Sequence, residues 1–342
     1  MIKNRKVKQM DIYLKEAYLH IVDRQAGDPV LSELPLDLSK DYLREYIEKK
    51  ILKMYSPQSK AGQLDLASDI GQILAQQTEL KVMSQQLVNL WYQIYQQSTD
   101  APSCDCIVAK YELDTTPYLA FLKLNYSQGY THFLDQTEEG LYNQFILHQA
   151  ILPNKTQKVD EGVIINLQTY DFQLLEKRYQ FSGEKKAYFS TEFIAQVPNL
   201  SLEENVKAIK KVASKIGSEF ADDDYQVVAK VKQAIVESID QNGYIEPKEI
   251  AESVFKENIT AQLAFQEKVA EKGVSATAPL IANVKEISEK KYNKQKLKLS
   301  NGIEMIIPMD VYQDPNLLEF VNQPDGTISV MIKNVEDILT KL

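Results

Sequence analysis

Two dipeptides near the end of the chain, Asn301-Gly302 and Asp325-Gly326, constrain its fold more than any other feature. Each interrupts a run in which apolar and polar residues alternate. In KQKLKLSNGIEMIIP a lysine-rich strand turns back at Asn301-Gly302, and in EFVNQPDGTISVMIKNVEDI the device recurs at Asp325-Gly326. Such pairs tolerate the positive φ angles of a tight hairpin turn. The stretch from Lys294 to Ile338 therefore reads as two β-hairpins followed by a short helix.

At 342 residues the chain is longer than one core usually supports, so two domains are expected, 1–198 and 199–342. Its apolar and charged fractions, 44% and 25%, exclude a disordered chain. The formal net charge of -9 repels polyanions at long range, so any contact with nucleic acid requires a local basic patch. The two cysteines, Cys104 and Cys106, would share one face of a strand, with Cβ atoms roughly 6–7 Å apart and too distant for a disulfide. Their flanks supply no further metal ligands, which leaves reduced structural thiols. The N-terminal MIKNRKVKQMDIYL lacks the apolar core of a secretory signal. No run approaches the roughly 18 apolar residues of a membrane span, so the expected location is the cytoplasm, with no membrane association.

Asp11 to Val22 is rich in β-branched and aromatic residues and reads as a strand, with Val30 to Leu38 as a second extended piece. Ser39 opens a helix in which Leu43, Tyr46, Ile47 and Ile51 recur at helical spacing. Lys49, Lys50 and Lys53 fall in its last turns, where cations complement the helix dipole. Leu64 to Gln97 is predicted helical over much of its length, because Leu80, Met83, Leu87, Leu90, Trp91 and Ile94 form an apolar stripe. Strands are predicted at Cys104 to Tyr111, Pro117 to Tyr126, Leu141 to Leu152 and Glu161 to Asn166, with Gln173 to Phe181 continuing the sheet.

After Pro198 helices dominate. Ser201-Leu-Glu-Glu204 is a capping box, and Leu202, Val206, Ile209, Val212, Ala213 and Ile216 supply a buried face behind it. A second helix follows Asp222 to Asp224, with Val228, Val231, Ile235 and Ile239 inside. Pro247 to Phe255 and Thr260 to Lys272 are further helices, and Gly273 to Asn293 reads as a weakly structured connector. The expected class is α+β: an N-terminal α/β region with a mostly antiparallel sheet, then a helical segment ending in two β-hairpins.

Catalytic signals are sparse. SIDQNGYIEPKE, Ser238 to Glu249, places Asp240, Asn242, Gly243, Ile245 and Glu249 at positions 3, 5, 6, 8 and 12 of a calcium loop. Ser238 stands where the first carboxylate belongs, which favours an ordinary helix end with Gly243 as its left-handed cap and Pro247 opening the next helix. His20, His132 and His148 are far apart, and His20 and His148 lie in apolar or aromatic segments that suit hydrogen-bonded core histidines. No phosphate loop, nucleophile elbow or zinc-protease helix is present, so no catalytic residue, metal ligand or cofactor is assigned.

Three basic clusters could meet a phosphate backbone. Lys3, Arg5, Lys6 and Lys8 form the first. Lys207, Lys210, Lys211 and Lys215 lie along one face of the capped helix, three and four residues apart. Lys290, Lys291, Lys294, Lys296 and Lys298 lead into the first hairpin, where Lys294, Lys296 and Lys298 share one strand face and Leu297 and Leu299 the other. Lysines touch phosphate as mobile point charges without reading bases, and the scarcity of Arg and interleaved aromatics argues against sequence-specific or single-strand binding.

Across most of its length the chain resembles a bacterial family of nucleoid-associated proteins, the NdpA type. The resemblance is carried by IYLKEAYLHIVD and LSELPLDLSKDYLREYIEKKI, by VIINLQTYDFQLLEKRYQF and AYFSTEFIAQ, and by GIEMIIP with NQPDGTISVMIKNVEDI. It implies a non-enzymatic protein found with the bacterial chromosome, binding double-stranded DNA or working beside proteins that do, and it implies no active site or cofactor. Two functional expectations stay open: direct duplex binding through the lysine-rich surfaces with little sequence preference, or an adaptor recruited by a DNA-processing partner such as a topoisomerase. A homodimer would double the phosphate contacts of either surface.

Overall fold

The computed structural model describes residues 10–220, 224–256, 258–275 and 284–339, and these divide into two compact units with the break between Leu202 and Glu203. The basic cluster Lys3, Arg5, Lys6 and Lys8 lies outside the described residues, as do Asp222 and part of the expected connector. The fold is α+β, with antiparallel sheets, a helical segment and C-terminal hairpins.

The first unit begins with β1 (Ile12–Val22), whose apolar side chains serve both sides of a sheet. A bulge between Leu14 and Glu16 shifts the alternation, so Leu14 and Ala17 face one core while Tyr18 and Val22 face the other. The expected extended piece after it is irregular except where Val30 bridges Ile21, because Pro29 and Pro35 lack the amide a ladder needs. Helix α1 (Asp41–Met54) buries Ile47, Ile51 and Met54 against one sheet face. Lys50 is buried too, and it does not serve the helix dipole as expected. Its ammonium donates to the carbonyls of Asn154 (2.8 Å) and Gln157 (3.1 Å), and burial lowers its pKa to about 8.

β2 (Lys60–Gln63) is a short edge strand. The expected long helix is divided into α2 (Asp69–Ala75) and α3 (Leu80–Tyr95). Gln77, with φ of 51°, takes a left-handed conformation that ends α2. The stripe on α3 behaves as its spacing requires: Leu80, Met83, Leu87 and Trp91 are buried, with Leu90 and Ile94 packed at the margin. The carbonyls at the cap of α3 and in the turn after it find their cation far away in sequence. The Arg24 guanidinium donates to the carbonyls of Gln96 (3.1 Å), Ser98 and Ala101, and it lies 5.6 Å from the Tyr95 ring centre.

β3 (Cys104–Leu113) and β4 (Thr116–Asn125) form the centre of the sheet. They are followed by a separate two-stranded arm, β5 (Ser127–Thr137) and β6 (Gly140–Ile151), then by β7 (Glu161–Asn166) and β8 (Asp171–Leu175). The six-stranded sheet runs β1-β3-β4-β7-β8-β2, antiparallel throughout. Both faces are covered: Cys104, Cys106, Val108, Leu119 and Phe121 meet α3, while Ile107, Ala109, Ala120, Leu122 and Leu124 meet α1. Cys104 and Cys106 are free, buried and on one face, as two-residue spacing on a strand dictates. β9 (Tyr179–Phe181), β10 (Glu184–Lys186) and a π-helical turn (Phe189–Phe193) complete the unit, with Phe181, Tyr188, Phe189 and Phe193 filling the α3 side.

Within that aromatic core sits an ion pair. Lys123 on β4 is directly opposite Glu161 on β7, and its ammonium lies 2.7 Å from the carboxylate with both side chains fully buried. Lys123 also donates to the Tyr179 hydroxyl (3.0 Å) and lies 4.6 Å from the ring centres of Tyr95 and Tyr179. Glu161 accepts from the Tyr188 hydroxyl (3.0 Å), which in turn accepts from the Trp91 indole (3.0 Å). Burial works against the Lys123 ammonium, but the Glu161 carboxylate and then the acidic groups of Tyr95, Cys104 and Tyr179 together outweigh it and raise its pKa well above the usual value.

In the second unit, α4 (Leu202–Glu219) starts one residue after Ser201 and buries the whole expected face from Leu202 to Ile216. α5 (Asp224–Asn242) buries Val231, Ile235 and Ile239, with Val228 half-exposed and Val227 inside instead. α6 (Pro247–Phe255) and α7 (Ile259–Glu271) join through Phe255 and Phe265, whose rings are tilted by 56° with 5.6 Å between centres. The expected connector contains a further helix, α8 (Val284–Tyr292), before the first hairpin of β11 (Lys294–Lys298) and β12 (Glu304–Pro308). A short α9 (Met309–Gln313) separates it from the second hairpin, β13 (Leu318–Asn322) and β14 (Ile328–Ile332).

Both hairpins turn in the same way. The amide of Gly302 donates to the Leu299 carbonyl (3.0 Å), and the amide of Gly326 donates to the Gln323 carbonyl (3.0 Å). Only the glycines take positive φ, 92° and 82°, so each loop is a three-residue turn closed by a left-handed glycine rather than a two-residue turn. The helix expected after the second hairpin does not form. Asn334 adopts φ of 54° and its side-chain amide donates to the Asn316 carbonyl (3.1 Å), so the tail leaves β14 extended.

Replacing Lys123 by Met leaves the Glu161 carboxylate buried without its counter-charge and should destabilise the protein by about 3–5 kcal/mol in urea unfolding. Adding Glu161→Gln, which keeps the acceptor for Tyr188 but removes the charge, should restore at least half of that loss. A double variant no more stable than Lys123→Met would show that the pair is not the source of the cost.

Candidate nucleic-acid interface

Helix α4 presents Lys207, Lys211 and Lys215 to solvent at successive turns. Their spacing of four residues keeps them near one line, while Val206, Ile209 and Ile216 hold the opposite side in the core. None of these three lysines forms an ion pair with a described residue. Lys210 projects from the same helix toward the core boundary, where it is half-buried.

Lys210 is where the separate clusters of the sequence meet. Its ammonium lies 5.7 Å from the ring centre of Tyr292, the last residue of α8, and the ammonium of Lys291 lies 5.8 Å from the same ring. The ring thus offers each ammonium group a cation–π contact. Lys232, on α5, is close enough to Lys210 for their charges to interact, and Lys296 on β11 acts on Lys232 in the same way. Lys232 is tied to the site by donation to the buried Gln295 side chain (2.5 Å). Four elements, α4, α5, α8 and β11, therefore each contribute one lysine to a continuous cationic group.

The electrostatic strain is visible in the protonation equilibria. Burial, then the cations of Lys232 and Lys291, lower the Lys210 pKa to about 8. Burial and the cation of Lys296 also lower that of Lys232. Tyr292 moves the other way, pushed up to about 12 by burial and by the nearby Glu203 carboxylate.

The remaining predicted lysines are distributed around this group. Lys294, Lys296 and Lys298 share the exposed face of β11, with Leu297 half-buried on the other. Acids temper two positions: Lys291 pairs with Glu203 (2.7 Å) and Lys298 with Glu304 (3.6 Å). Lys290 belongs to α8, and its side chain lies outside the described set. Lys232 and Tyr292 carry no signal in the sequence. Lys232 alternates with apolar residues in VAKVKQAIV and looks like the wet side of a core helix, and Tyr292 falls in what reads as a connector.

The calcium-like loop is closed by its own atoms. The Ser238 hydroxyl donates to the Tyr244 carbonyl (3.2 Å) and accepts from the Glu246 amide (2.8 Å), and Asn242 donates to Glu249 (2.7 Å). Gly243 takes φ of 78° as the helix cap, and Pro247 opens α6. His20 is a buried core residue whose Nδ1 accepts from the Ser32 amide (3.2 Å), with burial lowering its pKa to about 4. His148, expected in a core, is exposed on β6. Among the described residues no group of three or more His, Cys, Asp or Glu side chains is placed to hold a metal ion, and no helix is long and apolar enough to cross a membrane.

A lysine group of this kind sits on a chain whose order of elements can be compared with known families. The family described as nucleoid-associated protein YejK matches residues 19–340, nearly the whole chain. The chain belongs to that family. No individual curated protein matches it. Family membership makes this a nucleoid-associated protein, in keeping with the resemblance read from the sequence motifs. The match spans both units and so takes in the whole lysine group on α4, α5, α8 and β11.

Replacing Lys232 by Gln removes one of the cations that depress Lys210, so the Lys210 pKa should rise from about 8 toward its ordinary 10.5. A pH titration followed by nuclear magnetic resonance of the lysine side chains reads this directly. An unchanged midpoint would mean that the two ammonium groups do not interact.

Proposed function

We propose that the protein binds double-stranded DNA directly, with little sequence preference, through the lysines of its second unit, and that it does so without catalysis at the bacterial nucleoid in the cytoplasm. The observation that carries this reading is the convergence of Lys210, Lys232, Lys291 and Lys296 from four elements into one group whose charges repel each other. A fold that only needed solubility would spread such charges. A polyanion relieves their repulsion, and the exposed Lys207, Lys211, Lys215, Lys294 and Lys298 extend the group for contact with successive phosphates. Ammonium groups of this type bind phosphate as point charges and carry no base readout. The strongly perturbed groups of the first unit, Lys123, Glu161 and Tyr188, are engaged with one another inside the core, which supports a structural rather than catalytic role for them.

Duplex binding should weaken steeply with salt, because each neutralised phosphate releases counterions. Replacing Lys210, Lys232, Lys291 and Lys296 together by Gln should flatten the slope of log affinity against log salt by roughly 3–4, at ~0.9 for each contact. No duplex binding at micromolar protein in low salt would sink the proposal, and an unchanged slope would move the site elsewhere.

Proton linkage gives a second test. Phosphate raises the Lys210 pKa in the complex above its free value of about 8, so binding takes up protons. Affinity should therefore fall as pH rises from 7 through 9 and the free lysine deprotonates. Lys210→Gln should remove that part of the pH dependence while leaving salt dependence from the other lysines.

The net charge of -9 favours a second reading, an adaptor brought to the nucleoid by a DNA-processing partner such as a topoisomerase. A pull-down from nuclease-treated lysate separates the two. A partner retained without DNA, together with a purified protein that ignores duplex, would favour the adaptor.

A further inference from the structure

The arm formed by β5 and β6 is the largest part of the first unit that the sheet does not use. Its two strands, 11 and 12 residues long, pair only with each other, so their outer edges meet no described strand. Every residue of β6 and nearly every residue of β5 is solvent-exposed. At about 3.4 Å per residue the arm is a ribbon close to 37 Å long, and an isolated two-stranded ribbon is at best marginally stable in water.

The pairing register sorts its side chains onto two unlike faces. Tyr130 lies opposite Leu147, His132 opposite Phe145, Leu134 opposite Asn143 and Gln136 opposite Leu141, and these pairs share one face. The other face carries Thr131, Phe133, Asp135, Tyr142, Gln144 and Ile146. Exposure is greater on the first: Phe145 is 82% exposed, Tyr130 76%, Leu141 66%, Leu134 60% and Leu147 39%, against 44% or less for Phe133, Tyr142 and Ile146. This first face contains no carboxylate or ammonium. Asp135 lies on the second face, and Glu138 and Glu139 lie at the turn.

We propose that the Tyr130–Phe145 face of the arm packs against the same face of a second copy of this chain. Nucleic acid and anionic lipid are poor occupants, because Ser127 to Ile151 contains no Lys or Arg and its formal charges are all acidic. An isologous contact requires a surface that complements itself, and an uncharged aromatic and aliphatic face does so without like charges meeting across the two-fold axis. The area also fits. The exposed aromatic and leucine side chains offer on the order of 600 Å², and the flanking His132, Gln136 and Asn143 bring the face toward the roughly 800 Å² per partner of a stable interface. A contiguous apolar face of this size is at the upper end of what soluble monomers expose, where such patches mark interaction surfaces. The inference goes beyond the DNA-binding proposal and does not depend on it, since the oligomeric state is read in the absence of DNA.

Analytical ultracentrifugation of the full chain at low micromolar concentration should give twice the chain mass. Tyr130→Glu with Phe145→Glu places carboxylates on both halves of the face and should raise the dimer dissociation constant at least ~100-fold. Gln144→Glu, on the opposite face, should leave the dimer intact. Asn143→Cys tests the geometry without disturbing the apolar contacts. Cys104 and Cys106 are buried, so the introduced thiol is the reactive one, and a short bismaleimide should link two chains through it. The cross-link decides the matter if the double glutamate variant fails to fold. A wild-type monomer at tens of micromolar, a dimer that persists in the folded double variant, or no Asn143→Cys cross-link would each overturn the proposal.

Discussion

Lys123 and Glu161 face each other across β4 and β7 with no water between them, and the first unit is arranged around that pair. A buried charge pair is tolerated only when its remaining hydrogen-bonding capacity is filled. Here Tyr179 and Tyr188 fill it, and the rings of Tyr95 and Tyr179 lie against the ammonium. Those tyrosines come from α3, β9 and the segment leading into the π-helical turn. The pair thereby dictates that three separate pieces of chain pack on one sheet face, in one register. The opposite face, under α1, is mostly aliphatic, and its polar groups are met by neutral partners: the Tyr55 and Tyr111 hydroxyls bond each other (3.0 Å) and Lys50 meets carbonyl oxygens.

The two units handle cations in opposite ways. In the first, Lys123 is neutralised by a carboxylate and Lys50 is tied down by carbonyl oxygens. In the second, Lys210 and Lys232 are partly withdrawn from water yet face further cations, with Tyr292 beside Lys210 and Gln295 bonded to Lys232. Under the proposed DNA-binding reading, that accumulated like charge is what a phosphate backbone relieves.

Elements rich in apolar residues could be read from the sequence, β6 among them although every residue of it is exposed, and those without could not. The stripe of α3, the face of α4 and the strands β3, β4 and β7 have cores to fill, so their composition records their structure. β5 mixes Gln, Gly, His and Asp because neither of its faces is buried within the chain, which left no alternation to detect. α8 hides in VKEISEKKY, where charge outweighs the few residues turned inward. The lysine group was legible as two clusters, 207–215 and 290–298, but not as one site. Their meeting depends on how α4, α5 and α8 pack, and no local pattern encodes that. Positive-φ residues decided the remaining differences: Gln77 divides a helix that its stripe suggests is continuous, and Asn334 prevents one that the composition allows.

The Arg24 clamp on α3 has a consequence for the order in which the chain acquires structure. A helix usually carries its terminating cation in its own last turn, and α3 has none there. The carbonyls of its cap and of the turn after it take theirs from a residue that leaves the ribosome more than seventy positions earlier. By the time Gln96, Ser98 and Ala101 emerge during synthesis, the guanidinium that closes them is already present on the segment following β1. The closure of this helix therefore needs only chain that precedes its end, and it joins the segment after β1 to the turn that leads into β3.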